Sequence, residues 1–377
     1  METNTTEENV KDVSVRDTVI VTRKVRLFVD CDDQEQRTAY LRKLYDWHDH
    51  IYMGANLVLS HQYLLSQLRE IPYLNEDTKI KIANATKDPD GVLSTSKMNT
   101  TYRVLSSYFK GKYPAAILSP LNQQLFKLFR SDSLAYSRGQ RSLRTYKRGM
   151  PVPISGNQVK LANSETGREF KISFLQIPFI TYLGRDRGDK RVLLQQALVG
   201  MVKICNCALK IVDGKLFLLL VLEVPKKVFE LKPHVIAEAN LGMEHPIGVN
   251  VGKQFLQIGN REEFLYRRLA IQSAVQRLQK AATYNAGGRG RKKKLKSLDR
   301  YRNKEHNYVE SKLHLYSRKL IDFCVKQGAG TLLLVNQSAK EEVAKEDDFV
   351  LRNWGYYGLI EKIRYKAEMV GVNVIVE

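Results

Sequence analysis

The stretch Ile247-Gly-Val-Asn-Val-Gly252 decides how the carboxyl-terminal part of the chain folds. It is short and rich in β-branched residues, it ends at a glycine, and the apolar-containing run Phe255-Leu-Gln-Ile258 follows closely. Two short strand patterns joined by a glycine-bounded turn predict a β-hairpin. Because residues 238–245 before it are largely polar, we expect this hairpin to open the sheet of a separate domain.

The composition of the chain indicates a nucleic-acid partner. Its 377 residues include 61 Lys and Arg against 40 Asp and Glu, so the formal net charge is +21. Hydrophobic residues make up 43%, and the length is sufficient for two or three domains with buried cores. A positive excess of this size predicts a polyanionic partner. A basic protein without such a partner is the alternative, but the clustering of the charge favours nucleic acid.

No stretch of the sequence has the roughly 20 consecutive apolar residues of a membrane span. The polar start, residues 1–6, is unlike a signal peptide, so we expect a cytoplasmic protein without a membrane partner. The four cysteines are Cys31, Cys205, Cys207 and Cys324, and they form no CxxC pair. We therefore expect reduced, buried thiols, no metal site and no other cofactor.

The remaining patterns divide the chain into four parts. Residues 1–16 are polar and lack periodicity, so they are predicted to form a flexible extension. Residues 35–136 show three helical zones, and strand patterns lie on both sides, in 17–34 and 137–237. These strands are predicted to form an antiparallel β-barrel into which the helical part is inserted. Residues 238–377 mix the hairpin with long helical patterns and buried-type strands.

Two stretches concentrate the positive charge. Residues 137–148 interleave arginines with hydroxyl groups and a tyrosine, a composition suited to phosphate contacts and base stacking, although a solvated loop is the alternative. Residues 287–296 hold the densest charge, and their glycines would let the chain follow a nucleic-acid backbone closely.

Together these features resemble the compact type V-F CRISPR effectors and their relatives, the TnpB nucleases of transposons. The stretches that carry the resemblance are Leu105–Lys112, Ser142–Pro153, Ile247–Gly252, Gly287–Lys293, Asn307–Thr331 and Leu351–Tyr357. The resemblance implies an α+β multidomain fold. A wedge β-barrel (17–34 and 137–237) with an inserted helical recognition domain (35–136) would precede an RNase H-like RuvC domain (238–377). That last domain is expected to lack its carboxyl-terminal part and its zinc ribbon.

The resemblance also raises the question of catalysis. In that family, carboxylates of the RuvC domain hold divalent cations, and the first catalytic aspartate and the glutamate align with Asn250 and Asn336. An amide offers one neutral carbonyl where Mg²⁺ prefers anionic oxygen ligands. The acidic residues within 341–348 are expected to be solvated loop charges. We therefore expect a chain that is not an enzyme, with an active endonuclease, truncated or mutated, as the alternative.

The resemblance implies a function that needs no metal. In RNA-guided effectors, base pairing reads the sequence while the protein holds the backbone and a short flanking motif. We expect a protein of the bacterial nucleoid that uses a guide RNA to bind double-stranded target DNA and regulates transcription. It would block a promoter or recruit RNA polymerase through a sigma factor, and it would bind one guide RNA as a homodimer. An RNA-binding structural protein that never contacts DNA is the other alternative.

The candidate binding residues are the basic and aromatic residues of the predicted barrel, its helical insert and the glycine-rich stretch. Those assigned to guide RNA are Arg23, Lys24, Arg26, Arg138, Arg141, Arg144, Tyr146, Lys147 and Arg148. Those assigned to DNA or to the RNA–DNA heteroduplex are Lys110, Lys112, Arg289, Arg291, Lys292, Lys293, Lys294 and Lys296.

Overall fold

A computed structural model describes residues 18–70, 97–164, 167–184, 188–242, 245–284, 288–335 and 356–377. The chain forms two compact units, an amino-terminal unit built on Ile20–Val224 and a carboxyl-terminal unit built on Pro225–Glu377. Both contain helices and a sheet, which confirms the predicted α+β class. In the part of the chain that is described, no helix is long and apolar enough to cross a membrane.

The amino-terminal unit contains an eight-stranded sheet. Its strands are β1 (Thr18–Val29), β2 (Val152–Ile154), β3 (Lys160–Asn163), β4 (Phe170–Phe174), β5 (Ile177–Tyr182), β6 (Lys203–Ile204), β7 (Cys207–Val212) and β8 (Lys215–Pro225). Their order is β2-β7-β8-β1-β5-β4-β3, and β6 pairs with β8. The pairs β1–β5, β3–β4, β4–β5 and β7–β8 are antiparallel. Leu175 and Gln176 have positive φ angles and form the turn between β4 and β5.

Four helices belong to the same unit: α1 (Gln34–Glu70), α2 (Lys97–Phe109), α3 (Ala115–Ser137) and α4 (Lys190–Leu198). The first three pack against one another through fully buried side chains such as Leu44, Leu105 and Leu121. They are the predicted helical insert, since they follow β1 and precede β2.

Helix α3 contains a proline, Pro120, in its second turn. A proline has no N–H and leaves the carbonyl four residues before it, that of Ala116, without a helical donor. The backbone N–H of Ser155 donates to this carbonyl at 3.2 Å. The proline therefore creates an acceptor that ties the residue after β2 to the helical insert.

The carboxyl-terminal unit contains a five-stranded sheet in the order β11-β10-β9-β12-β13. The strands are β9 (Lys232–Asn240), β10 (Ile247–Val251), β11 (Gln254–Ile258), β12 (Ala329–Leu334) and β13 (Asn373–Val376). The first three form an antiparallel meander, and β12 runs parallel to both β9 and β13. The predicted hairpin is therefore present as β10 and β11. It does not open the sheet, because β9 precedes it.

Helices cover one face of this sheet. They are α5 (Arg261–Thr283), α6 (Gly288–Lys326) and α7 (Tyr356–Val370), and their apolar residues share a core with Ala237, Val249 and Leu332. Helix α6 begins at Gly288 and so includes most of the basic stretch 287–296. Lysine and arginine are good helix formers, so the dense charge is compatible with a helix despite the two glycines.

A lysine is buried where α6 meets α7. Lys366 on α7 is 8% exposed, and its ammonium donates to the carbonyl oxygen of His314 and, at 2.7 Å, to the hydroxyl oxygen of Ser317. Burial lowers the pKa of Lys366 from 10.5 to about 8, and the positive charges of Arg318 and Lys362 act in the same direction. The folded state therefore releases this proton more easily than the unfolded chain does.

This shift predicts a stability that rises with pH. Between pH 8 and 10.5 the unfolded chain binds more protons at Lys366 than the folded chain. The free energy of unfolding should gain up to about 1.4 kcal/mol per pH unit relative to the variant K366M. Denaturant titrations at pH 7.5, 8.5 and 9.5 measure this difference, and K319M, at an exposed position of α6, is the control. A difference that stays constant with pH would contradict the prediction.

Candidate nucleic-acid interface

A single carboxylate organises the predicted arginine-rich segment, residues 138–148. Asp132, on α3, is 8% exposed and accepts from Arg141 Nη1 at 2.8 Å, Arg144 Nε at 2.5 Å and the Tyr136 hydroxyl at 3.1 Å. The hydrogen bond from Arg144 holds the pKa of Asp132 below its usual value. The side chains of Arg141 and Arg144 remain 43% and 36% exposed. Both guanidinium groups are therefore fixed in position while part of each still faces solvent.

The end of this segment is attached to α1. Arg148 pairs with Asp49, and its own side chain is 72% exposed. The Tyr146 N–H donates to Asn56 Oδ1 at 2.7 Å, and Asn56 Nδ2 donates to the Tyr146 carbonyl at 2.9 Å. Tyr146 is only partly exposed, so its ring is less open to a base than the sequence suggests, and burial raises the pKa of its hydroxyl. Arg138 and Lys147 are exposed.

The three cations predicted on β1 divide between the two faces of the strand. Arg23 lies in register with the buried residues and forms a two-bonded ion pair with Asp189, at 2.6 and 2.5 Å. Lys24 and Arg26 lie in the alternate register, away from the core. The sequence places all three together, but strand alternation brings only the last two onto one surface.

The predicted DNA contacts Lys110 and Lys112 are exposed in the turn between α2 and α3. They border grooves, and Lys112 lines one of about 910 Å³ together with Tyr40, Lys43 and Gln176. Tyr40 and Lys43 are not evident from the sequence because they lie within the helical pattern of α1, which does not indicate a groove.

The remaining predicted DNA contacts are in the first turns of α6 or just after them. Lys296 is exposed. The side chains of Arg289, Arg291, Lys292, Lys293 and Lys294 lie outside the described residues, and their backbone is helical.

The carboxyl ends of the parallel strands form the second candidate region. In sheets with parallel strands, ligand sites lie beyond these ends. The Val335 N–H, just after β12, donates to the Ala239 carbonyl at 3.0 Å, which brings this strand end beside Asn240 at the end of β9. The Glu377 N–H donates to the Leu334 carbonyl at 3.1 Å, so the end of β13 lies at the same edge.

The asparagine at the carboxyl end of a strand in the parallel part of the sheet is Asn240, on β9, and not Asn250. Asn250 is exposed on β10, one residue before the end of the strand, and its register partner on β9 is Glu238. Asn336, and the acidic residues within 341–348, lie outside the described residues. Within the described ranges, no three His, Cys, Asp or Glu side chains form a group that could hold a metal. Asn240 is not evident from the sequence because residues 238–245 have the polar composition of a connection.

The sequence of the chain was compared with those of known proteins. No protein-family model matches the chain. The CRISPR-associated endodeoxyribonuclease Cas12f1 of Sulfoacidibacillus thermotolerans is 25% identical over 271 residues, which cover 66% of this chain and 62% of the relative. The Cas12f1 of Syntrophomonas palmitatica is 31% identical over 109 residues, 29% of this chain and 21% of the relative. The chain thus spans less than two thirds of the length of these curated relatives.

The fold comparison covers more of the molecule. A Cas12f1 chain, solved by cryo-electron microscopy in a complex with a single guide RNA and target DNA, matches 96% of this chain. The match covers 89% of the Cas12f1 chain, with a TM-score of 0.64 and 16% identity. The chain resembles Cas12f1 in sequence and in fold. The predicted resemblance to compact type V-F effectors is confirmed.

The expectation that this Cas12f-like chain is not an enzyme is contradicted. Both curated relatives are named endodeoxyribonucleases, which are enzymes. The expectation depended on Asn250 and Asn336 occupying catalytic positions. Asn336 lies outside the described residues, and Asn250 lies within the antiparallel strand β10. The Asn250 amide is therefore no evidence about the side chains at the carboxyl ends of β9, β12 and β13.

The carboxylate of Asp132 should control the order of the arginine-rich segment. We expect D132N to accelerate amide hydrogen exchange in residues 138–148 and to lower the melting temperature, because two guanidinium groups would no longer share an anion. Asp299 pairs with Arg302 at 3.9 Å and both are exposed, so D299N is the matched control and should have little effect. Exchange mass spectrometry compares the three proteins. Equal exchange in D132N and D299N would show that the segment is ordered by other contacts.

Proposed function

We propose that the chain is an RNA-guided DNA-binding protein of the CRISPR effector type. The observation that carries the proposal is the likeness, over 96% of the chain, to a Cas12f1 chain bound to guide RNA and target DNA. The net charge of +21 supports it, because both partners are polyanions. Target selection would then come from base pairing with the guide, and the protein would hold the backbones.

In this proposal the amino-terminal unit is the wedge barrel with its recognition insert. The eight-stranded, largely antiparallel sheet and the three packed helices between β1 and β2 support that assignment. Guide RNA would contact Lys24, Arg26 and the exposed parts of Arg141, Arg144 and Arg148. Because carboxylates fix the three arginines in place, less side-chain entropy would be lost on binding.

The carboxyl-terminal unit would be the RuvC domain. An antiparallel meander followed by two strands parallel to β9 supports an RNase H-like sheet. DNA or the heteroduplex would lie along the start of α6 and near Lys110 and Lys112. Binding of one guide RNA by two copies of the chain stays a prediction, as does association with the nucleoid.

Regulation of transcription is a further step of the proposal. A complex that occupies a promoter would change transcription by blocking RNA polymerase or by recruiting it with a sigma factor. Occupancy depends on guide pairing and backbone contacts, and therefore on the cationic surfaces described above. Target cleavage is the second candidate function, and the names of both curated relatives favour it.

The proposal is tested by the RNA that stays bound to the full chain through a high-salt purification from its own host. We expect one dominant RNA with a constant folded part and a variable end that matches DNA. The complex should bind duplexes that match this variable end, and addition of Mg²⁺ tests whether it cuts them. A heterogeneous RNA pool with no matched duplex binding would favour an RNA-binding structural protein.

The basic start of α6 should contribute affinity without sequence preference. Neutralising four of its cations (R289Q, R291Q, K293Q, K296Q) should weaken binding on every DNA sequence. It should also reduce the slope of log K against log salt by up to about 0.9 for each phosphate that the variant no longer neutralises. The control variant, K227Q with K232Q, K253Q and K319Q, removes the same charge at exposed positions. Weaker binding of only one target sequence would contradict a backbone role.

A further inference from the structure

One surface of the eight-stranded sheet places cations beside aromatic rings. The buried residues of β1 include Val25, Leu27 and Val29, and the residues between them, Arg26 and Phe28, face away from that core. On the neighbouring strand β5, Tyr182 is the register partner of Arg26 and shares this outward direction. We call Arg26, Phe28 and Tyr182 the stacking triad.

The triad has the geometry of an open stacking site. The guanidinium carbon of Arg26 lies 4.6 Å from the Phe28 ring centre and 5.3 Å from the Tyr182 ring centre. The two rings are 5.9 Å apart with an interplanar angle of 82°. Phe28 is 37% exposed and Tyr182 48%. Both rings are therefore partly open to solvent, and their faces are available to a stacking partner.

Arg26 is placed by the rings and not by hydrogen bonds to its Nε. That nitrogen is buried and has no hydrogen-bond partner within the described part of the protein. The guanidinium group instead lies against the two aromatic side chains, where cation–π attraction holds it. A guanidinium plane held beside open rings offers both a flat stacking surface and a positive charge.

A second cation–aromatic pair extends the surface onto β8. The Lys24 ammonium lies 4.1 Å from the centre of the Phe217 ring. Lys24 and Phe28 are four residues apart on β1, which corresponds to roughly 13 Å along a strand. Cation–aromatic contacts thus continue across β8, β1 and β5, the strand neighbours at the centre of the sheet.

We propose that the stacking triad binds unpaired nucleobases of single-stranded nucleic acid. Base faces stack on aromatic rings without regard to sequence, and cations beside the rings bind the phosphates. A base-paired helix hides its base faces, so this chemistry selects unpaired nucleotides. The proposal rests on the proposed function and adds to it a ligand class, the unpaired base, and two contact residues, Phe28 and Tyr182.

The test measures binding of the full chain to short labelled strands by fluorescence anisotropy. The variant F28A/Y182A removes both exposed rings and leaves the buried face of β1 and β5 unchanged. We expect it to weaken binding of single-stranded RNA at least about fivefold, since each stacked base contributes about 1–3 kcal/mol. The conservative variant F28W/Y182F keeps the rings and should keep the affinity. Circular dichroism confirms that each variant is folded.

Two control arms make the result specific. Y266A/Y284A removes two exposed rings of the carboxyl-terminal unit, 81% and 89% exposed, and should leave the affinity unchanged. An RNA of the same length with abasic sites offers phosphates without bases, and F28A/Y182A should bind it as the unaltered chain does. Single-stranded DNA of the same sequence shows whether the stacked bases come from RNA or from DNA.

Each outcome decides the proposal. Weaker binding confined to strands with bases supports it, whether the strand is RNA or DNA. Equally weakened binding of abasic RNA would overturn it, because the triad would then contact only the backbone. Unchanged binding by F28A/Y182A would also overturn it while the proposed function stands. If the unaltered chain binds no RNA at all, the proposed function fails. The stacking proposal is then decided by whether F28A/Y182A binds single-stranded DNA more weakly than the unaltered chain does.

Discussion

The two-residue alternation of β-strands is the constraint on which both units depend. Successive side chains of a strand point to opposite faces, and burial of an unpaired charge is costly, so each strand divides its residues between core and solvent. On β1 this division buries Val25 and Leu27 and leaves Lys24 and Arg26 outside. On β9 it buries Ala237 and Ala239 and exposes Glu238 and Asn240. Lys24, Arg26, Glu238 and Asn240 therefore lie on the exposed faces of their sheets.

Carboxylates give the positive surface its shape. Although the chain carries a large positive excess, Asp132, Asp49 and Asp189 each engage arginines of the predicted RNA-binding set. These contacts join segments that are distant in sequence, such as Asp49 and Arg148, and they hold guanidinium groups that would otherwise repel one another. The surface is therefore an ordered array of partly exposed cations. The net charge alone predicts a positive surface but not the fixed positions of these cations.

In the carboxyl-terminal sheet, the alignment of one residue, Asn250, with a catalytic position gave a wrong expectation. The exposed amide of Asn250 suggested a lost catalytic ligand, but the parallel pairing of β12 with β9 places the strand end at Asn240. The two curated relatives are named endodeoxyribonucleases, which contradicts the expectation, based on that amide, that the chain is not an enzyme. Strand order, and not the spacing of letters, decides which side chains meet at an edge of a sheet.

The sequence by itself determined the α+β class, the hairpin of β10 and β11 and the helices between β1 and β2, and its charge excess is the basis for proposing a polyanionic partner. These follow from local periodicity, turn residues and summed charge, which act over short distances or need no geometry at all. Only the tertiary structure decided that β9 opens the second sheet, since its exposed alternate residues hide the strand pattern. It alone joined Arg26 to Tyr182, 156 positions later, because strand pairing over long separations depends on packing and leaves no mark in either local sequence.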